Sequence, residues 1–181
     1  MYPLAMPVLL LSIFLIGGSA VAAVSDIRTG RIQNGLTYGL AVLALLIHAV
    51  SAGPLDAALA LLCMIAVLAA SLPIFAFGWL RGGDIKMIVA CAGLVSIHYL
   101  VPFLLYTMLC GGMVSLVVAW RYGTVRQSFA AVGAAAHPLL HGVIPKALPF
   151  TTRKVPYGVA IFFGSILTAL AMTLVPALRL I

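Results

Sequence analysis

Apolar residues fill long blocks of this chain, and polar residues are confined to short segments between them. A helix crossing about 30 Å of hydrocarbon at about 1.5 Å per residue needs about 20 largely apolar residues. Leu4 to Val24 meets that length without a charge, whereas Leu36 to Ala52 is shorter and is interrupted only by His48, near its end. Leu55 to Leu80 is long enough to span with tilt, and Pro73 marks a kink within it. Ile85 to Ile97 is short and opens directly from Gly82-Gly83-Asp84. Tyr99 to Trp120 is another full span, with its terminal aromatics at interfacial positions. Val155 to Leu180 makes a sixth, flanked by Arg153-Lys154 and Arg179. The pattern predicts an all-α, polytopic membrane protein of about six transmembrane helices, over 4–24, 36–52, 55–80, 85–97, 99–120 and 155–180. One sizeable loop, 121–154, is broken up by Gly, Pro, His and Ser, with a short interfacial helix expected over Phe129 to Ala136. No repeat, linker or low-complexity tract divides residues 1–181, which are expected to form a single transmembrane domain.

Composition removes the soluble alternative. Hydrophobic residues make up 65% of the chain and charged residues 7%, against about 25% charged in soluble domains; mean hydropathy is +1.26. Such a chain cannot cover itself with a wettable surface, so membrane lipid is its main partner. Ala20-Val21-Ala22 resembles a signal-peptidase site, but Met1 to Leu11 holds no Lys or Arg to serve as the cationic region of a signal peptide, so the first span is expected to be retained. Cys63, Cys91 and Cys110 each fall inside an apolar run and form no C-x-x-C pair, which reads as packing.

The net charge of +7 raises nucleic acid as a partner. The cations form no basic stripe and have no aromatic platform between them, so nucleic-acid binding is excluded and membrane-flanking placement accounts for them. With six spans, three connections share one side, and they carry Arg28, Arg31, Arg81, Lys86, Arg121, Arg126, Lys146, Arg153 and Lys154, nine of the ten cations. Only Arg179 lies opposite. The positive-inside rule puts the crowded side in the cytoplasm and both termini outside.

The chain has no glutamate and three aspartates, Asp26, Asp56 and Asp84. Carboxylates near a membrane are costly and often functional. Asp26 ends the first span and Asp84 begins the fourth; the hairpin of spans two and three separates them, so both return to the same edge at similar depth. Two carboxylates at one level can share a proton, one acting as acid while the other activates water, which suits peptide hydrolysis without a metal. Simpler roles stand beside this: Asp84 as a helix N-cap, Asp26 paired with Arg28 or Arg31, and Asp56 as a first-turn residue on the outer side.

The segment Asp26-Ile27-Arg28-Thr29-Gly30-Arg31-Ile32-Gln33-Asn34 resembles the prepilin peptidase element in which Asp precedes a basic stretch and Ile-Pro-Asn. Gly82-Gly83-Asp84-Ile85-Lys86-Met87 is similar to that family's Gly-x-Gly-Asp signature with its following Lys, and Lys154-Val155-Pro156-Tyr157-Gly158 to its Pro-Tyr-Gly element. The chain most resembles the small members of tight-adherence (Flp pilus) systems, which lack a larger N-terminal domain, and the same is expected of this chain. Gln33 replaces the expected Pro, and Arg81 replaces the first Gly of Gly-x-Gly-Asp. The resemblance implies a membrane aspartic endopeptidase with Asp26 and Asp84 as its catalytic pair. It further implies removal of a basic leader from prepilins or pseudopilins, at the cytoplasmic face of the inner (plasma) membrane. Gly82, Gly83, Lys86, Asn34, Pro156, Tyr157 and Gly158 would shape the substrate cleft, Lys86 either steering a carboxyl group, supporting Asp84 or anchoring at the headgroups. No cofactor is implied. His137 and His141 have i, i+4 spacing, but Pro138 follows at once and no carboxylate is near, so no metal site is expected; His48 and His98 lie toward the outer face. The rival readings are a small transporter or channel in which Asp26 and Asp84 relay protons or bind cations, and a scaffolding or assembly subunit without chemistry, in which both aspartates tolerate Asn.

Overall fold

The computed structural model describes residues 5–76, 80–126 and 156–174, with the side chains of 5–7, Ser96 and Leu174 left aside. Its described residues form five helices: α1 (Ala5–Thr29), α2 (Asn34–Ser51), α3 (Pro54–Ala76), α4 (Gly82–Arg121) and α5 (Tyr157–Leu174). Four stretches are long and apolar enough to cross a membrane, Val8–Thr29, Asn34–Ser51, Pro54–Ala76 and Ile97–Arg121, and the apolar helix Tyr157–Thr173 is shorter. This is an all-helical, polytopic membrane protein, as its hydropathy pattern predicts. The expected helix at Phe129 to Ala136, His137, His141 and the end of the sixth span lie outside the described residues.

Local chemistry sets the turns. Gly30, at φ +64°, ends α1, and its N–H bonds the carbonyl of Asp26 at 2.8 Å. That left-handed backbone is open to glycine at no steric cost. At the opposite end, α2 closes with the N–H groups of Ala52 and Gly53 on the His48 carbonyl at 3.0 and 3.1 Å. Pro54 then occupies the first position of α3, where its missing donor costs no helical hydrogen bond.

The sequence predicts separate spans ending at Ile97 and starting at Tyr99. The structure instead has one uninterrupted helical run of 40 residues, which would be about 60 Å long if straight. It is not straight. Cys91 lies against Ser165 of α5, and Thr107, about 24 Å further along an ideal helix, lies against Gly164. The axis of α4 therefore reverses between Cys91 and Thr107, and its two halves run antiparallel along α5. Pro102 falls in this interval; its ring removes the hydrogen bond to the carbonyl four residues earlier and permits a sharp bend. Where the sequence predicts a loop between two spans, the chain turns inside a helix.

α4 packs on every other helix, and α5 packs on α1 and α4. The core includes Leu11, Leu15, Leu40, Met64, Met87, Leu94, Phe103 and Ile161. Small residues bring α5 close: a Cβ at Gly164 would stand 2.8 Å from the Thr107 backbone, and one at Gly111 would stand 2.9 Å from the Tyr157 hydroxyl. Such contacts let membrane helices approach where water provides no driving force. Leu9, Ile13, Val42, Leu62, Met108 and Met113 are exposed, the outward apolar surface a lipid-solvated bundle requires.

Candidate active site

Asp26 sits in the last turn of α1, which runs past the expected end at Val24. Its side chain is 4% exposed, and Oδ2 accepts the backbone N–H of Gly158 at 2.9 Å. That bond, rather than Arg28 or Arg31, satisfies the carboxylate. Glycine at 158 permits this close approach, because a Cβ would stand 3.0 Å from the Asp26 Cβ and 3.2 Å from the Ala22 carbonyl oxygen, tighter than ordinary van der Waals contact. The chain beyond Asp26 is held by its own hydroxyls. Ser25 Oγ donates to the Arg31 carbonyl at 2.9 Å, and Thr29 Oγ1 to the Ser25 carbonyl at 2.8 Å.

Asp84 is 6% exposed and occupies the third position of α4. The N-cap is Arg81, whose backbone N–H donates to Asp84 Oδ2 at 3.2 Å. Asp84 thus performs half of a capping box, and the other half is missing because a guanidinium has no acceptor. Its carboxyl lies at the membrane edge, before the fourth span begins, and is pushed up to about 6, by burial first and also by the negative charge of Asp26; the Arg81 N–H and guanidinium oppose the shift. The two aspartates expected to pair are therefore brought within electrostatic reach of each other. A buried pair with one member holding its proton to such a pH can offer an acid and a base together.

The other expected site residues divide into groups. Pro156 lines an open cavity of about 350 Å³ with Asp26, Ile27, Arg28, Thr29 and Gly30. Tyr157, partly buried, packs on the core beside Gly158 and within electrostatic range of Asp84. Gly82 and Gly83 precede Asp84, but a Cβ at either meets only ordinary contacts, 3.8 Å to Phe75 and 3.6 Å to Ile32. Lys86 does not reach an aspartate: Nζ donates to Asn34 Oδ1 at 3.0 Å and lies 5.3 Å from the Tyr38 ring centroid. It ties α4 to the start of α2, taking Asn34 with it.

Three contributions are not predicted by the sequence. Tyr38 shares a helical face with Asn34, four residues earlier, and that spacing is the available signal. Ser25 and Thr29 have the same spacing at a helix end. The third is Arg81, whose Nη1 donates to the Gly30 carbonyl at 3.3 Å, a contact across the chain that no local pattern signals. Among the described residues no group of three His, Cys, Asp or Glu side chains could hold a metal ion. His48 bonds the Gly93 carbonyl at 3.2 Å and is within electrostatic range of Asp56 rather than of the Asp26–Asp84 pair.

Residues 9–116, more than half of the chain, match the family model described as the type IV leader peptidase family. The match contains both aspartates and Lys86; Pro156, Tyr157 and Gly158 lie beyond it. No curated protein and no solved structure gives a significant match.

Proposed function

From the chain's membership of the type IV leader peptidase family, we propose that this membrane-embedded peptidase removes the basic leader of a prepilin of the tight-adherence class by an aspartic mechanism, with Asp26 and Asp84 as its dyad. The observation that carries the reading is the burial of both carboxylates at one end of the bundle, with Asp84 holding its proton to about pH 6. Membership of a peptidase family sets aside the transporter or channel reading. The nine-to-one distribution of cations supports a cytoplasmic site in the inner membrane.

The chemistry follows from the unequal pair. Ionised Asp26, oriented by the Gly158 N–H, takes a proton from a water as its oxygen attacks the scissile carbonyl carbon. Protonated Asp84 gives its proton to the carbonyl oxygen, forming a neutral gem-diol. Asp84, now ionised, takes a proton back from one hydroxyl as the carbonyl reforms; the C–N bond breaks, and Asp26 protonates the departing amine. The cycle consumes one water, yields an acid and an amine, and returns the dyad to its starting protonation. The open cavity along Asp26, Thr29, Gly30 and Pro156 accommodates backbone next to the scissile bond. The membrane-anchored apolar part of the substrate remains in lipid.

The test is incubation of the purified protein with a full-length prepilin in vesicles, followed by mass measurement of the product. A single mass loss equal to the leader, insensitive to chelators and to serine and thiol reagents, supports the reading. Loss of activity on chelation, restored by zinc, would replace the dyad with a metal mechanism.

A further inference from the structure

Arg81 stands where glycine is expected from the family resemblance. Its backbone has φ −85° and ψ 156°, a region every L-residue adopts, so nothing in the fold demands glycine there. Its contacts reach both halves of the dyad. The backbone N–H donates to Asp84 Oδ2 at 3.2 Å, and the guanidinium donates to the Gly30 carbonyl at 3.3 Å. Gly30 in turn donates to the Asp26 carbonyl at 2.8 Å. One residue thereby touches the Asp84 carboxylate through its main chain and the turn that ends the Asp26 helix through its side chain.

We propose that Arg81 is a positioning residue, which straps the Asp84 turn to the Asp26 turn and fixes the separation of the two carboxylates. The assignment rests on the peptidase reading above. Arg81 is exposed, so its bond to Gly30 adds little to folding. Its effect is on alignment, where a misplacement of about 1 Å is worth on the order of a hundredfold in rate. The guanidinium is also the cation acting on Asp84, which otherwise faces Asp26 from α1 and the Tyr157 phenol from α5. A neutral residue at 81 removes a charge that favours ionised Asp84.

The experiment compares Arg81→Met, Arg81→Gln and Arg81→Lys with the unaltered protein in vesicles, measuring kcat, KM and the pH profile of prepilin cleavage. The neutral variants are expected to accumulate normally, lose on the order of tenfold or more in kcat with KM little changed, and move the alkaline limb of the profile to higher pH. Lys retains the charge and one donor, so it should restore most of kcat and leave the limb in place. Neutral variants with unaltered kcat and limb would overturn the proposal. So would failure of both neutral variants to accumulate while Lys does, because that assigns Arg81 to folding. Asp26→Asn run alongside separates the two levels: if it cleaves, the dyad reading itself has failed, whereas if it is inactive and Arg81→Met is fully active, only the strap has.

Discussion

Asp56 and Asp84 occupy the same local position, the third residue of a helix, one after Pro54 at the start of α3 and one after Gly82 at the start of α4. Their surroundings differ completely. Asp56 is partly exposed at the far end of the bundle, and its charge acts on His48. There it complements the helix dipole, worth about 0.5 kcal/mol. Asp84 is buried, holds its proton to about pH 6 and faces a second buried carboxylate. The connecting segments differ in the same way. The turn at 52–53 is closed by backbone bonds to one carbonyl, whereas the turn after Asp26 is laced by Ser25, Thr29 and Arg81. The same first-turn position is thus given a different electrostatic setting by what the rest of the fold packs around it.

The largest expected difference between the two ends is in cleavage itself. Asp26→Asn and Asp84→Asn should each lower kcat by about 10³-fold or more, and the double variant should be no worse, because the pair works as a unit. Asp56→Asn should cleave as the unaltered protein does. Asn still accepts the Arg81 N–H, so an Asp84 serving only the helix would survive the change; prepilin cleavage measured by product mass checks each case.

Next in size is the close approach at Asp26. Gly158→Ala forces a methyl against the Asp26 Cβ and the α1 backbone, and should reduce the cleavage rate by on the order of tenfold or more. Gly39→Ala has nothing within 4 Å of the new methyl. It should leave the rate unchanged and raise thermal stability by up to about 1 kcal/mol through helix propensity.

A pH profile sharpens the comparison further. The active pair carries one proton, so activity should fall as pH rises through about 6 and Asp84 ionises. The raised value means the folded chain holds this proton more tightly than the unfolded one. Asp84 therefore adds stability as pH falls toward its ordinary range, and that contribution disappears as pH rises through about 6. Asp56→Asn should leave the alkaline limb where it is. The smallest effect is at Gln33, whose φ of −70° and ψ of 132° already suit proline. Gln33→Pro should raise the melting midpoint by the equivalent of about 0.4–1 kcal/mol and leave cleavage unaltered.

Much of this was legible in the residues. Long apolar blocks determine the helical class, and the two-span interval between Asp26 and Asp84 returns both to one end whatever the packing details. The reversal between residues 91 and 107 was legible as a break between two apolar spans; that the backbone stays helical through it was not, because only contacts with α5 show the two halves to be one bent helix. Lys86 has three roles open to it from sequence because a cation's identity does not choose its partner, and the geometry places it on Asn34 and Tyr38. The tight fit at Gly158 follows from α1 lying against α5, a long-range fact. Arg81 read as a departure from a pattern, and its bond to Gly30 depends on two turns meeting that are far apart in sequence.

The pairing of Asp26 with Asp84, and not with Asp56, is tested most directly by proximity. Cysteines are introduced by Asp26→Cys with Asp84→Cys, and separately by Asp26→Cys with Asp56→Cys, after Cys63, Cys91 and Cys110 are replaced by Ala. A short bifunctional thiol reagent applied in native membranes should link 26 to 84 efficiently and leave 26 and 56 unlinked. If each thiol of the 26–84 pair reacts singly but no link forms, the two carboxylates do not face each other and the dyad is contradicted.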